Sequence, residues 1–253
     1  MKILILAHMF PSKARPISGV FSLERVQSLA RHCHVKVITP KFWFPWFRIK
    51  GLSEYWQVPG KEYLGEVEVF YSKVWSLPKY NLTSFQSLSC FFSYWILFRQ
   101  FRSDFDFDLI HAYGACPSGF AAVRLGKMLH KPVVVTVEGG VIHTYLKYPF
   151  LRKLILYTLR NCDFIIPVSE DLKNRMIKLG FPPHKMAVIP NGADLDRFRP
   201  MDQIPIRQKL NLPLNKKIIL FLGTLRKTKG LLYLIPAIEQ LMRKRQDFLF
   251  VLV

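Results

Sequence analysis

Apolar runs of strand length recur along this chain, and most are followed by a stretch with helical spacing. That alternation leaves few folds open. Residues 2–8 form a near-continuous apolar strand, and residues 9–19 a loop punctuated by Pro11, Pro16 and Gly19. Residues 20–31 show helical spacing through Phe21, Leu23, Val26, Leu29 and Ala30, and residues 35–39 read as the second strand. Residues 66–71, 108–112, 133–137 and 164–168 follow as strands. Helices are expected over 85–102, through Ala121, Ala122, Leu125 and Leu129, and from Glu170 to the stop at Gly180. Strands alternating with helices predict an α/β fold with a doubly wound, parallel, Rossmann-like sheet whose ligands gather at the strands' C-terminal edge. The first loop has no G-x-G-x-x-G pattern, so no dinucleotide fingerprint is present.

A second informative stretch runs over residues 188–230. It opens with a short strand, 186–189, broken by Pro190-Asn191-Gly192, which turns a chain sharply off a sheet. After a linker comes a new buried-type strand, 218–222, which ends in Gly223 and the basic loop Arg226-Lys227-Thr228-Lys229-Gly230. A helical pattern over 230–245 and a strand over 248–253 complete one βαβ unit. Cations and glycines at a helix N-terminus suit a phosphate, because free N–H groups and the helix dipole both favour an anion there. An ordinary βα loop with solvated lysines is the other reading of the same residues.

The two halves of this stretch together resemble the family 4 glycosyltransferases of the GT-B fold. Ile189-Pro190-Asn191-Gly192 with Asp194, Phe198 and Pro200 is similar to the segment that closes the family's first domain. Gly223-x-Leu225-x-x-x-Lys229-Gly230 is similar to the one that opens its second. Pro11…Ser18-Gly19-Val20-Phe21 and Tyr113…Pro117-x-Gly119 are similar to bacterial cell-surface polysaccharide enzymes of that family. The resemblance implies an acceptor-side domain over residues 1–200 and an incomplete donor-side domain from 201 to 253. It implies transfer of a sugar, with retention, from a nucleotide diphosphate sugar to a polysaccharide or lipid-linked acceptor. No cofactor or metal is implied. The protein is expected in the cytoplasm, peripheral at the inner face of the cytoplasmic membrane. The family's donor-site glutamate pair has no counterpart here, so the chain reads as truncated and inactive alone. The alternative is a non-catalytic remnant, or a membrane-surface binding module.

By the same resemblance Lys229 pairs with the donor diphosphate, assisted by backbone N–H groups near Gly223 and by Gly230. The family usually has arginine directly after the glycine; here Thr224 stands there, and Arg226 is the nearest substitute. Gly19, Gly139, Gly140, Ser169, Glu170, Asn191 and Gly192 fall at the expected cleft and hinge. Glu138 and His143 are the catalytic candidates: Glu138 to orient an acceptor hydroxyl or oppose positive charge at the anomeric carbon, His143 to contact phosphate. Each has a plainer reading too, Glu138 as a solvated edge carboxylate, His143 as a surface histidine, Gly19 as a helix start and Ser169 as a cap.

The formal charge of +20, from 37 Lys and Arg against 17 Asp and Glu, points to an anionic partner. The basic residues are spread along the chain and no nucleic-acid motif is present, so a nucleotide sugar and an anionic membrane surface are expected partners and nucleic acid is not. Cys33, Cys90, Cys116 and Cys162 form no C-x-x-C pair and read as reduced thiols. His32-Cys33-His34 offers too few ligands for a metal. Residues 41–51 (KFWFPWFRIKG) read as a loop whose aromatics and cations suit a membrane interface, or fold back onto the core. Residues 85–102 are apolar but too short and interrupted to span a bilayer.

Overall fold

The structure is a computed structural model, and it describes residues 1–43, 57–75, 83–140, 145–225 and 229–253. The chain forms two compact units, Met1–Gly192 and Ala193–Val253. The sequence places the boundary later, after Pro200.

In the first unit the order is β1 (Lys2–Ala7), α1 (Val20–Ala30), β2 (His34–Trp43), β3 (Lys61–Leu64), β4 (Val67–Trp75) and α2 (Thr83–Phe101). There follow β5 (Leu109–Tyr113), α3 (Ser118–Leu129), β6 (Val133–Val137), α4 (Pro149–Asn161), β7 (Phe164–Pro167) and α5 (Glu170–Lys178). The strands make one sheet in the order β3-β4-β2-β1-β5-β6-β7. Every pairing is parallel except β3 with β4. β1 lies at the centre because KILILA can be buried on both faces. Leu4 and Leu6 join the layer formed with α2, α3 and α4, whereas Ile3, Ile5 and Ala7 join the layer on the α1 side. From β1 the chain first goes to β2 on one side and later returns as β5 on the other. The C-terminal ends of β1 and β5 therefore flank the point where strand order reverses, which is where open α/β sheets bind ligands.

Some elements differ from expectation. β2 continues through Trp43, its register with β4 running from Lys36↔Glu68 to Trp43↔Trp75, so the expected loop begins later. Pro40 is tolerated because it lies past the β1 pairing, which stops at Ile38, and among the described residues no strand pairs with that side of β2 there. The rest of the 41–51 stretch lies outside the described residues. Residues 186–189 do not form a separate strand. Met186 makes a single bridge to Ile165, and the Ala187 and Ile189 amides donate to the Ile165 and Pro167 carbonyls, so the segment trails along β7. β4 answers to the strand expected over 66–71, whereas β3, which pairs with it as a hairpin, and α4 have no counterpart in the sequence expectation.

The hairpin fixes the β1–α1 loop. Glu62 of β3 is buried, and its carboxylate accepts from the Lys13 amide at 3.3 Å. The Tyr71 hydroxyl of β4 reaches both the Glu62 carboxylate and, at 2.7 Å, the Pro11 carbonyl. A carboxylate on an edge strand thus ties down backbone groups that would otherwise face the sheet unpaired.

The second unit holds α6 (Gln203–Lys209), β8 (Lys217–Phe221), α7 (Leu231–Lys244) and β9 (Phe248–Leu252), with β8 and β9 parallel. Arg207 staples the approach to β8, its Nη1 donating to the Pro213, Leu214 and Lys216 carbonyls. No described residue of this unit is buried.

Candidate functional site

Gly19, the residue before α1, sits at φ +75°, and a Cβ there would lie 2.5 Å from the Met9 carbonyl oxygen. Only glycine lets the chain turn this tightly against the end of β1. Opposite, at the end of β5, Gly114 (φ +90°) leaves room for the His8 ring, which an added Cβ would approach to 2.8 Å. His8 Nδ1 lies 3.2 Å from the Tyr113 carbonyl oxygen. A carbonyl only accepts, so Nδ1 carries the proton and Nε2 keeps its lone pair. Burial pushes the His8 pKa below its ordinary value, partly offset by that hydrogen bond, and holds the ring neutral.

Beside His8 lies a polar cluster on the α1 side of the sheet. Arg25 of α1 donates from Nη2 to the Ile189 carbonyl at 2.8 Å, and its guanidinium carbon stands 5.9 Å from the centre of the Tyr113 ring. His111 of β5 pairs through Nε2 with Thr136 Oγ1 of β6 at 2.8 Å. Burial, helped by the Arg25 charge, pushes His111 down to about 4, so it is neutral near pH 7. Tyr113 is pushed up to about 12 by burial, against the pull of Arg25. Glu138, just past β6, has its carboxyl raised by burial while Arg25 opposes the rise. Arg25 is the shared neighbour. It pins the chain after β7, and its charge adds to the effect of burial at His111 and opposes it at Tyr113 and Glu138. A half-buried carboxylate with a raised pKa can hold or accept a proton, and a neutral imidazole can accept one from a hydroxyl.

The expected site residues fall in different places. Glu138 belongs to the cluster. Gly139 and Gly140 begin a helical turn, and a Cβ on Gly140 would meet nothing within 4 Å, so steric closeness does not demand a glycine there. His143 and Arg226 lie outside the described residues. Ser169 caps α5, its Oγ accepting from the Leu172 amide at 3.2 Å, and Glu170 follows in the first turn. Asn191 and Gly192 are exposed at the end of the first unit. In the second unit Gly223 ends β8, but its N–H donates to the Val253 carbonyl at 2.8 Å and is not free for an anion. Gly230 stands before α7 at φ +79°, with exposed Lys229 next to it, and among the described residues the α7 first turn offers further N–H donors there. Among the described residues, no group of three or more His, Cys, Asp or Glu is placed to share a metal ion. No described helix is long and apolar enough to cross a membrane.

Residues 18–197, which carry Gly19, the Arg25 cluster, Glu138 and the Asn191-Gly192 turn, match the family Glycosyltransferase Family 4. The chain belongs to that family. TuaC of Bacillus subtilis, named for teichuronic acid biosynthesis as a glycosyltransferase, is 29% identical over 260 residues. That alignment takes in 95% of this family 4 chain and 63% of TuaC. Among solved structures, sucrose-phosphate synthase from Thermosynechococcus elongatus superposes with a TM-score of 0.73 at 18% identity, over 100% of this chain and 62% of that one. Anabaena HepE, solved with UDP-glucose, gives a TM-score of 0.64 at 19% identity, over 100% of this chain and 60% of that one. These structures establish the fold, a GT-B type α/β architecture. The chain spans less than two thirds of the length of each of these three proteins.

Proposed function

We propose that this chain serves a glycosyltransferase which moves a sugar, with retention, from a nucleotide diphosphate sugar to a polysaccharide or lipid-linked acceptor at the inner face of the cytoplasmic membrane. The carrying observation is the family 4 match over residues 18–197, which takes in Arg25, Tyr113 and Glu138 on one side of the strand-order switch point; His8, at the end of β1, bonds the Tyr113 carbonyl from outside that match. The name of TuaC and the UDP-glucose bound to HepE support a polysaccharide product and a nucleotide-sugar donor. The first unit would take the acceptor, with His8 Nε2 and Glu138 within the set of groups able to orient or deprotonate a hydroxyl. In the second unit Lys229 and the α7 first turn would take the charge that builds on the departing diphosphate, with no metal required. The second unit buries none of its described residues, so the 253-residue chain is expected to bind donor weakly and to show no transfer alone.

Titration of the chain with UDP-glucose and GDP-mannose tests this reading, with free glucose as control. Binding of at least one nucleotide sugar, weakened about tenfold by Lys229→Ala, is expected for the loss of one charged hydrogen-bond donor. Absence of binding by any nucleotide diphosphate sugar contradicts the donor assignment and favours a non-catalytic membrane module. A measurable transfer rate contradicts only the inactivity of the chain.

A further inference from the structure

The helices on one face of the first unit's sheet are one-sided in charge. α2, α3 and α4 contain no Asp or Glu, and their charged residues are Arg99, Arg124, Lys127, Arg152, Lys153 and Arg160. All of these are exposed, and among the described residues none is engaged in an ion pair. Arg124 stands over the Phe91 ring, and Lys127 stands over Tyr157 and donates to Asn161 Oδ1. The three helices form one layer: α2 packs on α3, α3 on α4, and all share the same buried core. Asp104, Asp106, Asp108 and Asp163 sit instead in the loops that enter β5 and β7, at the opposite edge from the switch point, and Glu138 lies past β6 in the Arg25 cluster. Elsewhere the signs are mixed: α1 carries Glu24 beside Arg25, and α5 carries Glu170 and Asp171 with its cations.

The same layer exposes large apolar groups. Leu88, Phe92 and Ile96 repeat every fourth residue along α2 and are 49%, 57% and 60% exposed. Met128 of α3 and Phe150 of α4 are also exposed. Beside the α2 stripe runs a groove of about 730 Å³, floored by the Tyr71–Lys73 stretch of β4. Solvent contact at such a stripe costs free energy in proportion to its area, and like cations on one layer cost more when nothing anionic is opposite.

We propose that the α2–α3–α4 layer is the surface by which this protein lies on an anionic lipid leaflet. Leu88, Phe92 and Ile96 enter to the depth of the acyl boundary, and the flanking arginines and lysines meet the headgroups. The occupant needs negative charge at the rim and an apolar interior at the centre, and an anionic leaflet offers both. A nucleic acid would meet the cations but leave aliphatic side chains against phosphate. The inference deepens the membrane part of the proposed function and does not depend on transfer chemistry. In this orientation the switch-point edge, where α2 and α4 begin, is carried beside the leaflet.

Vesicle co-sedimentation of the full chain tests it, with phosphatidylcholine alone and with phosphatidylcholine mixed with phosphatidylglycerol. Binding is expected only with the anionic lipid, and it falls with added salt. Arg152→Glu with Lys153→Glu is expected to weaken it by at least about 25-fold, roughly fivefold for each cation lost, with the two added carboxylates repelling the leaflet further. Phe92→Ser with Ile96→Ser is expected to abolish the salt-resistant part. Both charge reversals lie at exposed positions, so this variant keeps the fold if the apolar variant does not. Lys178→Glu on α5 is the control and is expected to leave binding nearly unchanged. The proposal is overturned if neither mixture is bound, if the control weakens binding as much as the α4 variant, or if single-stranded RNA competes equally and the apolar variant binds normally. Nucleotide-sugar titration of the same variants separates this failure from failure of the transferase reading, because Lys229 is untouched.

Discussion

The first unit buries a seven-stranded sheet between helices on both faces, while the second pairs two parallel strands beside one long helix and buries none of its described residues. Both use the same local grammar of strand, turn and helix. β1 reads KILILA and is almost wholly buried; β8 reads KIILF, yet Leu220 within it is 58% exposed. Composition therefore does not decide burial. Neighbours do, because a parallel strand is stabilised only when both of its faces are covered. The chemistry divides the same way. Hydrogen bonds and close packing fix the groups at the switch point, whereas the expected phosphate site rests on a glycine turn and a helix start.

The contrast predicts unequal responses to similar mutations. Ile110→Ala in β5, at a fully buried position, is expected to lower stability by about 2–5 kcal/mol, read from the denaturant midpoint. Leu220→Ala in β8 is expected to cost less than about 1 kcal/mol; equal costs would erase the distinction between the units. Gly19→Ala is expected to cost more than about 2 kcal/mol, since it adds a contact at 2.5 Å to left-handed strain. Gly230→Ala meets nothing within 4 Å and is expected to cost only the strain, about 1 kcal/mol. A Gly19→Ala protein as stable as the parent would mean the loop is free to move away from β1.

A smaller effect concerns pH. His111 titrates at about 4 in the folded chain, against an ordinary value of 6.5. The unfolded chain therefore binds the proton first as pH falls. Stability is full above pH 6.5 and declines from there towards pH 4, by up to about 3 kcal/mol. The raised Glu138 carboxyl acts with the opposite sign, its contribution being lost as pH rises through its folded value. His111→Gln is expected to flatten the decline between pH 6.5 and 4 in thermal melts. An unchanged slope would place the titration elsewhere.

Much of the sheet was legible in the sequence because its central strands are apolar on both faces, and 133–137 is assigned at the same bounds by sequence and structure. α4 carries a signal in the sequence too, since Leu151, Ile155, Thr158 and Leu159 mark its buried face at helical spacing. β3 was not, because KEYL is short and lies at an edge, with a buried glutamate where alternation calls for an apolar residue. Glu138 could be singled out from its glycine neighbours. His8 looked like the end of a strand and Arg25 like the solvent face of a helix. Their roles depend on β5 lying next to β1, and no spacing along the chain encodes that pairing. Likewise the Gly223 N–H reads as free in sequence, and is occupied only because β9 runs alongside β8.

Hydrogen exchange of the full chain, followed by mass spectrometry with and without UDP-glucose, addresses the two-unit account most directly. Slow exchange is predicted across β1, β5 and β6 in both conditions. Fast exchange is predicted throughout 193–253, slowed by the nucleotide sugar over 217–234. Protection of β8 and β9 equal to that of β1, or no donor-dependent change over 217–234, would contradict it.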